Sequence, residues 1–175
     1  MGKLQIKTAS EADEIKDLII HSCNITTDII KSLAASYHGI DFFKLIKFSS
    51  CVGKDPLIER NLNFIEQINQ TFTYLVSMDA VKYLLKNHPE CAPYSLNLGT
   101  QSGYDIISVE NKIIAEVFSA TSPNSNNKLN KDYKKLRLNI TANHKYIFFY
   151  CQENIKDLSY YQQRYVGVDI IPLQL

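Results

Sequence analysis

The chain has 175 residues, 45% hydrophobic and 21% charged, and its 19 Lys plus Arg against 18 Asp plus Glu leave a formal charge of +1. This is ordinary globular composition. It excludes a disordered, highly charged tail protein and, with six Gly and five Pro, collagen-like and linker-like chains; no global basic field marks a nucleic-acid binder.

MGKLQIKTASEADE lacks the apolar run of a signal peptide, and apolar stretches such as Tyr146 to Cys151 fall far below the ~18 residues of a membrane span. The expectation is a cytoplasmic protein with no membrane partner. The cysteines Cys23, Cys51, Cys91 and Cys151 show no C-x-x-C pair and no nearby His pattern, which argues against structural zinc and disulfides. Cys23 stands two residues after His21, but spacing alone does not make a catalytic pair.

In chain order, Ser10 can cap a helix beginning Glu11-Ala12-Asp13 with Ile15, Leu18 and Ile19 on one face. A second helix is predicted from about Thr27 through Ser36, ending before Gly39. Asp55-Pro56 reads as an N-cap followed by Pro at the first helical position. Leu57, Ile58, Leu62, Ile65, Ile68, Phe72, Leu75 and Val76 then recur at helical spacing as a long core helix. A shorter helix, Met78 to Lys86, ends before Pro89. The second half changes period. Tyr94 to Gly99, Tyr104 to Val109 and Lys112 to Ser119 read as strands, the last two joined by a Glu110-Asn111 turn. A polar loop, Thr121 to Asn127, leads into a helix from Lys128 to about Thr141 with an apolar stripe of Leu129, Tyr133, Leu136 and Ile140. Lys145 to Cys151 is a strand, Asn154 to Tyr161 a short helix, and Tyr165 to Ile171 a last strand. The predicted class is α/β, a helical N-terminal half followed by a mixed central sheet with flanking helices.

With Glu110-Asn111 as the turn, Val109 faces Lys112 and Asp105 sits opposite Glu116, two carboxylates about 5 Å apart on one face. Their neighbours Ile106, Ile107, Ile113, Ile114, Ala115, Val117 and Phe118 are apolar on both faces, which marks an interior hairpin. Interior acids of like charge need a cation between them, and Mg²⁺ suits one or two carboxylates plus water and phosphate oxygens. Residues Lys128 to Arg137 carry five cations (Lys128, Lys131, Lys134, Lys135, Arg137) and one anion, Asp132, a suitable footprint for a phosphate backbone. The P-loop, Rossmann and nucleophile-elbow motifs are absent. His21, His38, His88 and His144 show no metal spacing.

An acid on one strand, a second acid on the next, then a helix bearing cations, all after an N-terminal helix, resembles the PD-(D/E)XK, or restriction-endonuclease-like, nuclease family. The resemblance covers Asp55 to Cys151. It implies a single domain with an α-β-β-β-α-β core at 55–151, a helical extension at 1–54 and a C-terminal helix and strand at 152–175. It implies a Mg²⁺-dependent (Mn²⁺ as substitute) endonuclease cutting double-stranded DNA, most simply as a homodimer. Asp105 and Glu116 would hold the metal, with the Val117 carbonyl and an acid from the N-terminal helix, Glu66. The family's lysine would fall on position 118, where this sequence has Phe118. Lys128 is then the candidate for a migrated catalytic lysine, with Lys131 second. Ser122, Asn126, Asn127, Lys131 and Lys135 would contact phosphates and sugars. The alternative that Phe118 leaves open is an inactive module of the same fold, binding nucleic acid or a protein partner; a helical interaction protein working through residues 1 to 90 is a third.

Overall fold

The computed structural model describes residues 4–97, 102–153, 155 and 157–175. After strand β1 (Leu4–Ile6), helix α1 (Ala9–Ser36) is opened by Thr8 rather than Ser10. Thr8 Oγ1 accepts the Glu11 N–H at 3.2 Å, and Glu11 Oε2 accepts the Thr8 N–H at 3.3 Å, a reciprocal capping box. The two helices expected here are one. Thr27, which reads as a second N-cap, instead donates its hydroxyl to the Cys23 carbonyl at 2.9 Å, so it satisfies itself on the preceding turn and the helix runs on. Gly39, at φ +56°, turns the chain into a helix the sequence reading lacked, α2 (Gly39–Phe48), which buries none of its residues.

Asp55 does not cap a helix. It lies between two short strands, β2 (Gly53–Lys54) and β3 (Asn61–Leu62), which pair antiparallel. Its Oδ1 accepts the Leu57 and Ile58 N–H groups at 2.9 and 3.2 Å and its Oδ2 accepts the Tyr74 hydroxyl at 3.0 Å. An N-cap and an Asx turn share this bonding pattern, which is why Asp55-Pro56 misleads. The long helix, α3 (Phe64–Asn87), starts later, under an Asn63–Glu66 capping box, and runs unbroken to the residue before His88-Pro89. Its expected stripe is also rearranged. Ile65, Ile68 and Phe72 are exposed, while Gln67 and Thr71 face α1, where Gln67 Nε2 donates to Ser22 Oγ at 3.4 Å and Thr71 meets the Cys23 thiol at 3.4 Å. Cys23 is therefore spoken for by α3 and not by His21.

The remaining elements are β4 (Tyr94–Leu96), β5 (Ile106–Ser108), β6 (Ile113–Ala120), α4 (Lys128–Arg137), β7 (His144–Cys151), α5 (Ser159–Arg164) and β8 (Asp169–Pro172). Leu98 and Gly99 of the expected first strand, and Asn154 and Lys156 of the expected C-terminal helix, lie outside the described residues. One six-stranded mixed sheet has the order β1-β4-β5-β6-β7-β8, antiparallel from β1 to β6 and parallel from β6 to β8. The α/β class holds, and from Phe64 to Cys151 the element order is α-β-β-β-α-β as expected. β6 divides two cores by its alternation. Ile113, Ala115 and Val117 join the core under α1 and α3, with Ile19, Val81, Leu84 and Phe148. Ile114 and Phe118 join the opposite core under α4, with Leu129, Leu136, Phe149 and Ile170. A strand buried on both faces shows no polar alternation, and Glu116, on the α4 face, is the exception. α4 stops at Arg137, earlier than expected. Asn139 Oδ1 accepts the Thr141 and Ala142 N–H groups at 2.9 and 2.8 Å, a local turn that leaves Ile140 exposed. Among the described residues no helix is long and apolar enough to cross a membrane.

Candidate active site

The β5–β6 hairpin turns through Asn111, at φ +54°, whose N–H donates to the Ser108 carbonyl at 2.9 Å. Asn tolerates this left-handed conformation, and the turn sets Ile106 opposite Ala115 and Ile107 opposite Ile114. One step further in that register, Asp105 stands opposite Glu116. The Asp105 backbone carbonyl accepts the Asn97 N–H at 2.9 Å, next to β4, while its Oδ2 accepts the Val117 N–H at 2.7 Å. A side chain thus takes over where the β5 backbone ends. In an extended strand a residue's N–H and C=O leave by the same edge, so the Val117 carbonyl also points to the edge at which Asp105 stands.

Helix α4 brings charge to this edge. Lys128, Asp132 and Lys135 recur at i, i+4 and i+7, one helical face. Lys135 Nζ lies 2.6 Å from Glu116 Oε1 and donates to the Gly103 carbonyl at 2.5 Å; Lys128 Nζ donates to Asp132 Oδ1 at 2.6 Å. Burial, reinforced by the Asp105 charge, pushes the Glu116 carboxyl up to about 7, against the pull of Lys135. Asp105 is raised by burial and held back by the Val117 N–H, by Lys128 and Lys135, and by a hydrogen bond from Glu116. Burial lowers Lys128, but the bond and charge of Asp132, with Asp105 and Glu116, hold it above the usual lysine range. Asp132 is raised by burial, and its Oδ2 has no hydrogen-bond partner.

Asp105 opens on a cleft of about 380 Å³ whose lining also includes Val117, Phe118, Lys128, Asn126 and, from α3, Asn69 and Thr73. Glu116, 2% exposed, touches Asp105 but is not part of that lining. Two carboxylates in contact at a buried edge share a proton or a cation, and the donor set of two carboxylates and one carbonyl, open to water and phosphate, suits a hard divalent ion. Among the described residues no three His, Cys, Asp or Glu side chains are grouped to hold a metal by themselves, so such an ion would rely on the backbone and on water.

The sequence-derived residues divide. Asp105, Glu116, Val117 and Lys128 come together. Glu66 does not: Oε2 accepts the Asn63 N–H at 3.2 Å and Oε1 meets Arg60 at 3.5 Å, so this acid is used at the start of α3, and Asn69 and Thr73 are the α3 residues at the cleft. Lys135, expected on the phosphate-binding face, turns inward to Glu116. Ser122 is tied to Ser125, its N–H donating to Ser125 Oγ at 3.1 Å. Asn126 and Asn127, both left-handed at φ +53° and +55°, are exposed, as is Lys131. Phe118 stacks on Phe149, ring centroids 5.3 Å apart, in the core under α4. Asp132 was missed, although its place at i+3 from Leu129 and i−4 from Leu136 puts it on the buried stripe.

No protein-family model and no curated protein matches the sequence. What the site can do follows from its own geometry.

Proposed function

We propose that the chain is a Mg²⁺-dependent endonuclease that hydrolyses DNA phosphodiesters in the cleft between Asp105, β6 and the start of α4. The observation that carries this is the facing of Asp105 and Glu116 across the hairpin, beside the Val117 carbonyl edge, with Lys128 on the opposite wall. Asp105, Glu116 and the Val117 carbonyl would hold the ion. The chemistry supplied by bound magnesium or manganese is activation of the attacking water and charge stabilisation at phosphorus. Lys128, held protonated by its acidic neighbours, supplies a fixed positive charge for the phosphate oxygens and not a base. Asn126, which lines the cleft, would offer donors to phosphates and sugars, with Asn127, Ser122 and the exposed Lys131 of the neighbouring loop and helix as further contacts. Cutting both strands of a duplex would take two copies of the chain, one cleft for each strand.

Nicking of supercoiled plasmid in Mg²⁺ or Mn²⁺, abolished by EDTA and by Asp105→Ala or Glu116→Ala, is the expected result. Equal nicking by wild type and both variants would trace the activity to a contaminant and sink the assignment.

One observation favours a second reading, a non-catalytic module of the same architecture binding nucleic acid or protein: Phe118 fills the place of the motif lysine, and Lys135 already neutralises Glu116. That module would give no heat on titration with Mg²⁺; binding heat lost in Glu116→Ala would count against it.

A further inference from the structure

Beside the acidic cleft lies a second one, of about 450 Å³, that shares Asn69, Ser119 and Ala120 with it. Its character is different. No charged side chain lines it; its walls are Ile68 and Phe72 of α3, Tyr150 of β7 and polar groups that include Asn69, Ser119 and Gln152. Phe72 is 40% exposed, beside the exposed Ile68 of the same helix, so the ring is open to a ligand in the cleft. Its ring and that of Tyr150 are parallel within 4°, centroids 6.3 Å apart, a stacked pair at the wall of the cleft on which a further flat ring can continue the stack. Ser119 stands two strand residues, about 7 Å, beyond Val117, so a single ligand can occupy both clefts.

We propose that this second cleft is a binding site for an unpaired nucleobase, so that the substrate is single-stranded DNA or a duplex with unpaired nucleotides beside the scissile phosphate. The proposal rests on the nuclease reading for its orientation, phosphate in the charged cleft and base in the neutral one. The chemistry matches a base in two respects. Parallel aromatic rings receive the π-face of any base, and the amides of Asn69 and Gln152, both exposed, carry the donors and acceptors that a base edge requires. The volume is that of a small-ligand site. A base inside a continuous duplex keeps its faces covered by its neighbours and cannot make these contacts; an unpaired one can.

The experiment measures binding, without metal so that nothing is cut, of three fluorescent DNAs of one sequence: a single strand, a blunt duplex, and a duplex with a central unpaired loop. Wild type is expected to bind the strand and the looped duplex more tightly than the blunt duplex. Phe72→Leu and Tyr150→Leu, which keep apolar bulk without the flat ring, should weaken the first two by about 10- to 100-fold, while Phe72→Trp retains them; circular dichroism establishes that each variant is folded. Equal binding of all three DNAs by wild type, or unchanged binding by both leucine variants, overturns the proposal. The two readings fail separately. Plasmid nicking that depends on Asp105, together with binding indifferent to Phe72, removes the base site and keeps the nuclease. Ring-dependent binding by a protein that never cuts removes the nuclease and keeps the base site.

Discussion

Lys135 reaches from α4 to the sheet, its ammonium 2.6 Å from a Glu116 carboxylate that is 2% exposed. The same ammonium donates to the Gly103 carbonyl, so one side chain ties the helix both to β6 and to the segment that delivers Asp105. Removing a partner of a fully buried pair costs about 3–5 kcal/mol, but Lys135 is 42% exposed and solvent screens its charge. Lys135→Ala is therefore expected to cost about 1–2 kcal/mol in urea denaturation at pH 8. It should also raise the Glu116 carboxyl further, because Lys135 is what pulls it down. A loss no larger than that of Lys131→Ala, a neighbour exposed on the same helix, would show that the pair is incidental.

Glu116 sets a pH dependence whose sign follows from its direction of shift. The folded state holds the carboxyl at about 7 against an ordinary 4.5, so folding favours the protonated form. That contribution is full below about pH 4.5 and is lost as pH rises through 7. Glu116→Gln mimics the protonated carboxyl, so without divalent metal it should be the more stable protein at pH 8, by on the order of 2–3 kcal/mol, and nearly level with wild type at pH 4.5. Thermal denaturation at the two pH values measures this; a destabilised Glu116→Gln at pH 8 would mean that the ionised form is the one the fold prefers. Cleavage by wild type should rise with pH through the same window, because only the carboxylate can bind an ion.

How far the sequence reveals this site is decided residue by residue. The expected two-residue Glu110-Asn111 turn is replaced by a wider one: the strands end at Ser108 and Ile113, and the Asn111 N–H returns to the Ser108 carbonyl. The reversal is still centred between residues 110 and 111, so the register is the expected one, and Asp105 and Glu116 were legible as neighbours. Lys128 was legible for the same kind of reason, since it follows a polar loop and opens the next helix. Glu66 was not, because Asp55 reads as the cap of α3 while the cap is Asn63, and a helix start misplaced by eight residues turns a capping glutamate into a mid-helix one. Asp55 misled because its side chain accepts local backbone N–H groups as a cap does, and only tertiary contact with Tyr74 decides the use. Thr27 misled because a hydroxyl able to cap a helix can instead bond back to the carbonyl one turn earlier inside one. The inward turn of Lys135 depends on how α4 lies on β6, which no local pattern encodes.

Metal should stabilise the folded chain through the two acids. An ion that binds only the native state at one hundred times its dissociation constant contributes about 2.7 kcal/mol, and here it also displaces the proton that Glu116 retains near neutrality. The expected result is a rise in melting temperature with Mg²⁺ or Mn²⁺ at pH 7.5, with protons released on binding, and no rise in Asp105→Asn with Glu116→Gln. Equal shifts in wild type and the double variant would place the ion elsewhere.

Phe118 invites the substitution that would restore the motif, and the structure argues against it. Its ring is 4% exposed and stacks on Phe149, parallel within 12°, in the core that also holds Leu129, Leu136 and Ile147. A lysine there would lose the aromatic packing, which truncation data put at about 3–5 kcal/mol, and would place an ammonium among apolar neighbours. The long stem could relieve part of this by extending toward the cleft, whose wall Phe118 shares with Lys128. Even so, on the proposed nuclease reading the cation near the attacked phosphate is Lys128, so a second one would add repulsion where the charge is satisfied. Phe118→Lys should therefore melt well below wild type and cut no faster, whereas Lys128→Ala should keep most of the stability and lose cleavage by about 10²-fold, the scale of removing one positioned electrostatic group. A stable Phe118→Lys that cuts faster than wild type would move the catalytic cation to β6 and leave Lys128 as the partner of Asp132 alone.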